Sequence, residues 1–247
     1  RMHMDVSVAL PGGGTLFERN PDAMPDAPTH QVDRAIMGDI VKVGSDSVEL
    51  SLNVAAHAGI ERIEIRNAKT VLETVRPYAE TDLGDRVRVL WSGAEYRGRG
   101  RNTTWRGRAQ FDTARINRFE MINQWNRERL FEQRGSNSVI WDTVTTGNFM
   151  GFDVWLDGAR DGRLDITTNL GDLSLDLAEV GLTDTVMDAG GLERQLRCLR
   201  LPGERLGREI SLTRTIDIKD GGDNPIWICV TTEDGYQAWS SPIYLFR

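Results

Sequence analysis

The amino-acid sequence predicts an all-β protein built as an antiparallel β-sandwich, immunoglobulin-like or jelly-roll-like, with little helix. Three observations support this prediction. Many short segments alternate apolar and polar residues, the period-2 pattern of half-buried strands. Breaks rich in Gly, Asp and Asn recur about every 8–12 residues, the spacing typical of a sandwich. No strand–helix–strand alternation is visible, which argues against a parallel doubly wound sheet.

The N-terminal part of the chain predicts a strand followed by an irregular connection over residues 1–34. Residues 4, 6, 8 and 10 are apolar, whereas Asp5 and Ser7 are polar. Residues 11–34 contain Pro11-Gly12-Gly13-Gly14 and three further prolines, which interrupt regular structure. The chain opens inside the strand without an initiator methionine. That beginning is typical of a piece of a longer protein, or of a tag residue before a natural start at Met2 or Met4.

Residues 35–247 predict the β-sandwich region itself. Candidate strands lie at 48–54, 60–66, 70–75, 87–91, 103–111, 114–121, 139–145, 150–156, 163–168, 172–178, 194–201, 208–218, 225–232 and 237–246. The stretch Asn123–Arg134, rich in Glu, Arg, Leu and Gln, is a candidate short helix. Gly135-Ser136-Asn137-Ser138 offers a boundary that would divide the region into two small sandwiches. One elaborated sandwich is equally consistent with the strand count.

Composition excludes several classes of protein and of site. The chain has 247 residues and a net charge of −7, and no run approaches the ~20 apolar residues of a membrane helix. No signal peptide is visible, so we expect a soluble protein without a membrane partner, in a compartment that the sequence leaves open. Cys198 and Cys229 lie among apolar neighbours and predict buried free thiols. With three scattered histidines and no H-x-H, HExxH, CxxC, GxSxG or Walker motif, the chain predicts no catalytic residue and no metal ligand.

Charge is distributed unevenly along the chain. Residues 86–134 contain twelve arginines against five acidic residues, a net charge of +7. Residues 141–192 contain ten acidic residues against Arg160 and Arg163, a net charge of −8. Such runs are usually solvated faces, or faces that pair with each other. The net positive charge of residues 86–134 therefore does not by itself indicate a ligand site; a specific local motif is required.

That feature is the sequence Arg97-Gly98-Arg99-Gly100-Arg101, followed by Trp105-Arg106-Gly107-Arg108. Arginine presents a planar fork of donors that matches phosphate or carboxylate oxygens, and glycine lets a backbone approach a ligand closely. A tryptophan can stack on a ring or on a guanidinium. The candidate anion-binding residues are Arg97, Arg99, Arg101, Trp105, Arg106 and Arg108. The alternative is a hairpin tip whose arginines meet neighbouring acidic residues. A nucleic-acid partner is not expected, because the net charge is negative.

Five segments of the sequence carry a family resemblance: Ile226–Tyr244, Ile36–Asp39, Ile60–Asn67, Val89–Gly93 and Trp105–Gly107. The ending Ala238–Ile243 is the most distinctive. These segments resemble the C-terminal, β-rich portion of an uncharacterised bacterial family related to the PHP (polymerase and histidinol phosphatase) metal-dependent phosphoesterases. Together they extend over nearly the whole chain. The metal-ligand motifs of the PHP portion have no counterpart in this sequence.

The resemblance implies a non-catalytic accessory domain whose partner is an N-terminal PHP-like portion, in cis or as a separate chain. Any divalent metal would then belong to that portion, and this chain would hold no cofactor. The full-length family resembles metal-dependent phosphoesterases, whereas this chain alone is not expected to be an enzyme. Two alternatives stay open: a free-standing carbohydrate- or anion-binding module, and a hydrolase with a site made only of Asp, Glu and Arg.

Overall fold

The computed structural model describes residues 1–247 as an all-β structure, which confirms the predicted fold class. The only helical element is a single 3₁₀ turn, Glu80–Asp82. The strands are β1 (Met2–Phe17), β2 (Thr29–Ile36), β3 (Ile40–Val43), β4 (Ser47–Ala56), β5 (Ile60–Asn67), β6 (Thr70–Val75), β7 (Arg86–Ala94), β8 (Thr103–Phe111), β9 (Arg115–Ile122), β10 (Phe131–Arg134), β11 (Ser138–Thr145), β12 (Phe149–Asp157), β13 (Arg163–Thr168), β14 (Gly171–Asp176), β15 (Thr185–Asp188), β16 (Leu192–Leu201), β17 (Glu209–Asp217), β18 (Asn224–Thr232), β19 (Gln237–Trp239) and β20 (Ile243–Phe246). No helix has the length and apolar character needed to span a bilayer.

The chain divides into two compact units. Unit 1 comprises Arg1–Pro77 and Leu206–Arg247, and unit 2 comprises Tyr78–Arg205, so unit 2 is inserted in the sequence of unit 1. The stretch 135–138, which offered a boundary in the sequence, instead forms the turn between β10 and β11 within one sheet of unit 2.

Unit 1 has the strand pairing of an immunoglobulin-like sandwich. β4 pairs with β17, while β5 pairs with β18 and β18 pairs with β20, as strands B with E and C–F–G do in that fold. β1 connects the two layers because its register shifts between Ala9 and Gly14. Its first half pairs with β4 and its second half pairs with β3. Alternating apolar residues from these strands fill the core, among them Val8, Leu50 and Ile65.

The expected irregular connection over 11–34 is shorter in the structure than in the prediction. β1 continues as a strand to Phe17, and β2 begins at Thr29, so only residues 18–28 lack strand structure. The glycines at 12 and 13 adopt positive φ angles of 88° and 79°. They form an irregularity within a long strand rather than its end, because glycine tolerates the left-handed backbone that a bulge needs.

Unit 2 is a sandwich of two five-stranded antiparallel sheets, in the orders β15-β16-β7-β12-β9 and β10-β11-β8-β13-β14. Its core is rich in aromatic side chains from both sheets. Trp91 of β7 stacks on Trp141 of β11, with ring centroids 4.6 Å apart and planes 5° apart. Phe131 and Phe152 complete this cluster, so the two sheets are joined through aromatic contacts.

The predicted short helix at 123–134 is wrong. Residues 123–130 form a loop, and Phe131–Arg134 is strand β10. Asn123 has a φ of 54°, a left-handed conformation that interrupts any helix at its start. Asn126 then closes a turn, since its side-chain oxygen accepts a hydrogen bond from the backbone N–H of Glu128 at 3.3 Å.

Candidate functional site

The arginine loop, residues 95–102, carries most of the candidate anion-binding residues. It leaves the end of β7 in one sheet of unit 2 and enters β8 in the other sheet. Gly98 and Gly100 have φ angles of 106° and 77°, which other residues adopt only with strain. The alternation of arginine and glycine therefore has a local cause, because the glycines turn the backbone. The three arginines that alternate with these glycines, Arg97, Arg99 and Arg101, are exposed.

The charges of these three arginines are not compensated within the structure. None of the ion pairs in the structure includes Arg97, Arg99 or Arg101. The arginines of the following strand differ. Arg106 lies 3.7 Å from Asp142, a carboxylate that Arg129 also contacts, and Arg108 donates a hydrogen bond to Gln110. Hence the loop presents free positive charge, whereas Arg106 and Arg108 already have polar partners.

Trp105 does not have the stacking role that the sequence suggested. Its side chain is completely buried in the core of unit 2. The indole N–H donates a hydrogen bond to the hydroxyl of Thr145 at 3.1 Å. A ligand at the surface therefore cannot stack on this ring. The neighbouring Arg106 points outward because successive strand residues face opposite sides of the sheet.

The base of the arginine loop is fixed by a chain of buried hydrogen bonds that the sequence did not reveal. Thr145 accepts from Trp105 and donates its own hydroxyl proton to the carbonyl of Gly93 at 2.8 Å. The same carbonyl accepts the backbone N–H of Gly147 at 3.2 Å. Gly93 lies two residues before the loop begins, so Trp105 and Thr145 position the loop from below. Thr145 carries no motif, and its partner Trp105 is forty residues away in sequence.

The arginine loop can recognise an anion but cannot exchange protons with it. Guanidinium groups donate several hydrogen bonds in a planar fork and stay protonated in proteins. Oxygen atoms of phosphate, sulfate or carboxylate groups match that fork. The chemistry available here is recognition of an oxyanion by charge and by directed hydrogen bonds.

The histidines and cysteines form no second cluster of reactive groups. His57 lies 2.9 Å from Asp234 and His30 lies 2.7 Å from Glu18, at separate places in unit 1. No group of three or more His, Cys, Asp or Glu side chains is arranged to hold a metal ion. Cys198 and Cys229 are free and buried, as predicted. Burial raises the pKa of the Cys198 thiol to about 12 and that of Cys229 to about 11, so both stay protonated.

Comparison with known proteins adds no relative to this description. No family model, no curated protein and no solved structure matches the chain.

Proposed function

We propose that this chain is a non-catalytic accessory β-sandwich module that binds an anionic group through Arg97, Arg99 and Arg101. The observation that carries the proposal is the exposure of three guanidinium groups on one short glycine-turned loop, none of them in an ion pair. Two other exposed arginines of this unit have an acidic partner: Arg106 lies 3.7 Å from Asp142, and Arg134 lies 2.9 Å from Glu132. Three uncompensated charges within five residues instead favour an external anion.

The resemblance to the PHP-related family supports a more specific form of the proposal. The anion would be the phosphate-bearing substrate of a metal-dependent phosphoesterase portion, located N-terminally in cis or in a separate chain. The divalent metal and the hydrolytic residues would belong to that portion. The role of this chain would be to hold the substrate or to orient the catalytic portion. Accordingly, we expect no divalent-metal-dependent phosphatase turnover from these 247 residues alone, and robust turnover would overturn the accessory role.

Calorimetric titration with inorganic phosphate and with pyrophosphate tests the anion site directly. We expect saturable, salt-sensitive binding, tighter for pyrophosphate because it offers more oxygens to the three guanidinium groups. The triple variant Arg97→Gln, Arg99→Gln, Arg101→Gln should lower the affinity by about tenfold or more, since hydrogen bonds to charged groups contribute roughly 1.5–3 kcal/mol each.

A matched control uses an exposed arginine outside the loop. Arg134→Gln removes one positive charge from β10, where the side chain is paired with Glu132 at 2.9 Å. It should leave the affinity within about twofold of the wild-type protein, because Arg134 lies outside the arginine loop. The loss of its exposed ion pair should also change the stability of the fold little. Absence of binding to both anions, or equal binding by the wild type and the triple variant, would refute the proposed site.

A further inference from the structure

The turn between β15 and β16 touches the start of the arginine loop. This glycine turn, residues 189–191, contains Gly190 and Gly191, whose φ angles are 72° and 63°. A Cβ atom added to Gly191 would lie 2.6 Å from the carbonyl oxygen of Ala94 and 3.3 Å from that of Glu95, the first residue of the arginine loop. The glycine turn is therefore in direct contact with the backbone that leads into the loop.

A second close contact joins the same two strands one residue earlier in β7. β16 carries a bulge opposite Gly93, where its register with β7 shifts. A Cβ atom added to Gly93 would overlap the backbone of Glu193 and Arg194, so the two strands meet there without side chains between them. The hydroxyl of Ser92 donates a hydrogen bond to the carbonyl of Glu193 at 3.0 Å. The end of β7 is therefore packed against the bulge backbone to backbone.

The glycine turn is held in one conformation by its own hydrogen bonds. The carboxylate of Asp188 accepts the backbone N–H of Gly190 at 2.8 Å. The backbone N–H of Ala189 donates to the carbonyl of Arg194 at 2.8 Å, and the backbone N–H of Arg194 donates to the carbonyl of Gly190 at 3.2 Å. The Nε–H of Arg194 donates to the carbonyl of Ala189 at 2.7 Å. Because these bonds close the turn, a group added at Gly191 should displace the start of the arginine loop rather than the turn.

Gly190 and Gly191 share a backbone conformation but differ in their surroundings. Both have a left-handed backbone, which disfavours any residue with a Cβ atom at either position. A Cβ atom added to Gly190 would meet only Nη2 of Arg194, at 3.8 Å, an ordinary van der Waals contact. The left-handed backbone thus accounts for glycine at both positions, whereas the close approach to Ala94 occurs at Gly191.

We propose that the glycine turn is a positioning element of the anion site and that Gly191 is its contact residue. The contact at Gly191 sets the direction in which the arginine loop leaves β7, and thereby the positions of Arg97, Arg99 and Arg101. The turn acts through the loop and makes no contact with the anion. This inference rests on the function proposed above and adds to it a residue, distant in sequence, that controls the affinity.

Calorimetric titration of full-chain Gly191→Ala and Gly190→Ala with pyrophosphate tests this inference. Several guanidinium groups bind one anion together only while their relative positions are kept. We expect Gly191→Ala to lower the affinity by at least about fivefold, because misdirecting a guanidinium group weakens a charged hydrogen bond. Gly190→Ala is the matched control: it strains the same kind of backbone without the close contact, and its affinity should stay within about twofold of the wild type.

The backbone amide resonances of Gly98 and Gly100 report the conformation of the arginine loop by NMR without any anion present. We expect both resonances to shift in Gly191→Ala and to stay unchanged in Gly190→Ala. Ser92→Ala is a milder second variant that decides the question if Gly191→Ala does not fold, since it removes only the hydrogen bond to the bulge. It should shift the same resonances and weaken pyrophosphate binding by about two- to threefold.

The positioning role and the anion site fail in different ways. If the wild type binds neither phosphate nor pyrophosphate, the proposed function is overturned, and the positioning role with it. If the wild type binds but the loop resonances are unchanged in Gly191→Ala and in Ser92→Ala, the positioning role alone is overturned. Equal losses of affinity in Gly191→Ala and Gly190→Ala have the same consequence, because strain in the turn would then explain the effect without the contact to the loop.

Discussion

The hydrogen-bond chain beneath the arginine loop predicts a measurable loss of stability when Thr145 is replaced by valine. Valine keeps the size and β-branching of threonine and removes only the hydroxyl group. In the structure this hydroxyl accepts from the indole N–H of Trp105 at 3.1 Å and donates to the carbonyl of Gly93 at 2.8 Å. Trp105 and Thr145 are both fully buried, so water does not replace the lost partner without rearrangement.

The size of the effect follows from what each partner retains. The indole N–H of Trp105 loses its hydrogen bond to Thr145, and an unsatisfied buried donor costs about 1–3 kcal/mol. The carbonyl of Gly93 keeps the backbone N–H of Gly147, so its loss is that of one ordinary hydrogen bond, about 0.5–1.5 kcal/mol. We therefore expect Thr145→Val to lower the free energy of unfolding by about 2–4 kcal/mol.

Urea unfolding followed by tryptophan fluorescence measures this difference. Thr104→Val is the matched control, because Thr104 lies on the adjoining strand β8 and its hydroxyl makes no hydrogen bond in the structure. We expect the control to change the free energy of unfolding by less than about 0.5 kcal/mol, as is usual for substitutions away from such networks. A decrease in the free energy of unfolding of less than about 1 kcal/mol for Thr145→Val, with an unchanged m-value, would show that the hydrogen-bond network does not stabilise the base of the loop.

Three further predictions concern the buried guanidinium of Arg200 and the two buried thiols. Arg200 is buried and donates hydrogen bonds to four backbone carbonyls at 2.6–3.1 Å. Because Arg200→Met leaves these carbonyls without their donor, it should lower the free energy of unfolding by about 4 kcal/mol or more. A decrease of less than about 1 kcal/mol, measured by urea denaturation, would contradict this prediction. The thiols of Cys198 and Cys229, with pKa values of about 12 and about 11, should react with DTNB at about pH 8 only after unfolding, and stoichiometric modification of the native protein would refute their burial. Since the ordinary pKa of a thiol is 9.0, the contribution of Cys198 to stability should be complete below about pH 9 and be lost between about pH 9 and about pH 12.

The strands could be predicted from sequence because each carries its own period-2 pattern, whereas the division into units could not. The alternation at residues 48–54 and 60–66 is found again in β4 and β5, whose inward residues are buried. Strand pairing could not be predicted in this way. β4 pairs with β17, which lies much later in the sequence, and Ala55 is opposite Glu209. Such long-range pairing depends on the packing of whole sheets, so a local break such as Gly135–Ser138 does not reveal a boundary.

The candidate site was partly predictable, because some of its features follow from local sequence patterns and others depend on long-range packing. Arg97, Arg99 and Arg101 alternate with Gly98 and Gly100, and this local pattern correctly predicts an exposed turn. The stacking role predicted for Trp105 is wrong because proximity in sequence is not proximity in space. Successive side chains of β8 face opposite sides of the sheet, so neighbouring residues lie alternately in solvent and in the core. The local sequence around Trp105 does not indicate which of the two faces is buried.

The arginines of the chain fall into two groups that differ in their environment, one buried and one exposed to solvent. Arg88 and Arg200 are fully buried, the first against the carboxylate of Asp153 and the second against backbone carbonyls. Burial of a guanidinium is costly unless its donors are satisfied. Arg200 meets this condition through four backbone carbonyls, and Arg88 is charge-compensated by Asp153, so both residues stabilise the fold rather than bind a ligand. The arginines of the 97–101 loop have the opposite environment, since water solvates them and no carboxylate neutralises them. An anion can gain binding energy only from the second kind, and for that reason the loop, rather than the overall excess of arginine, supports recognition of a ligand.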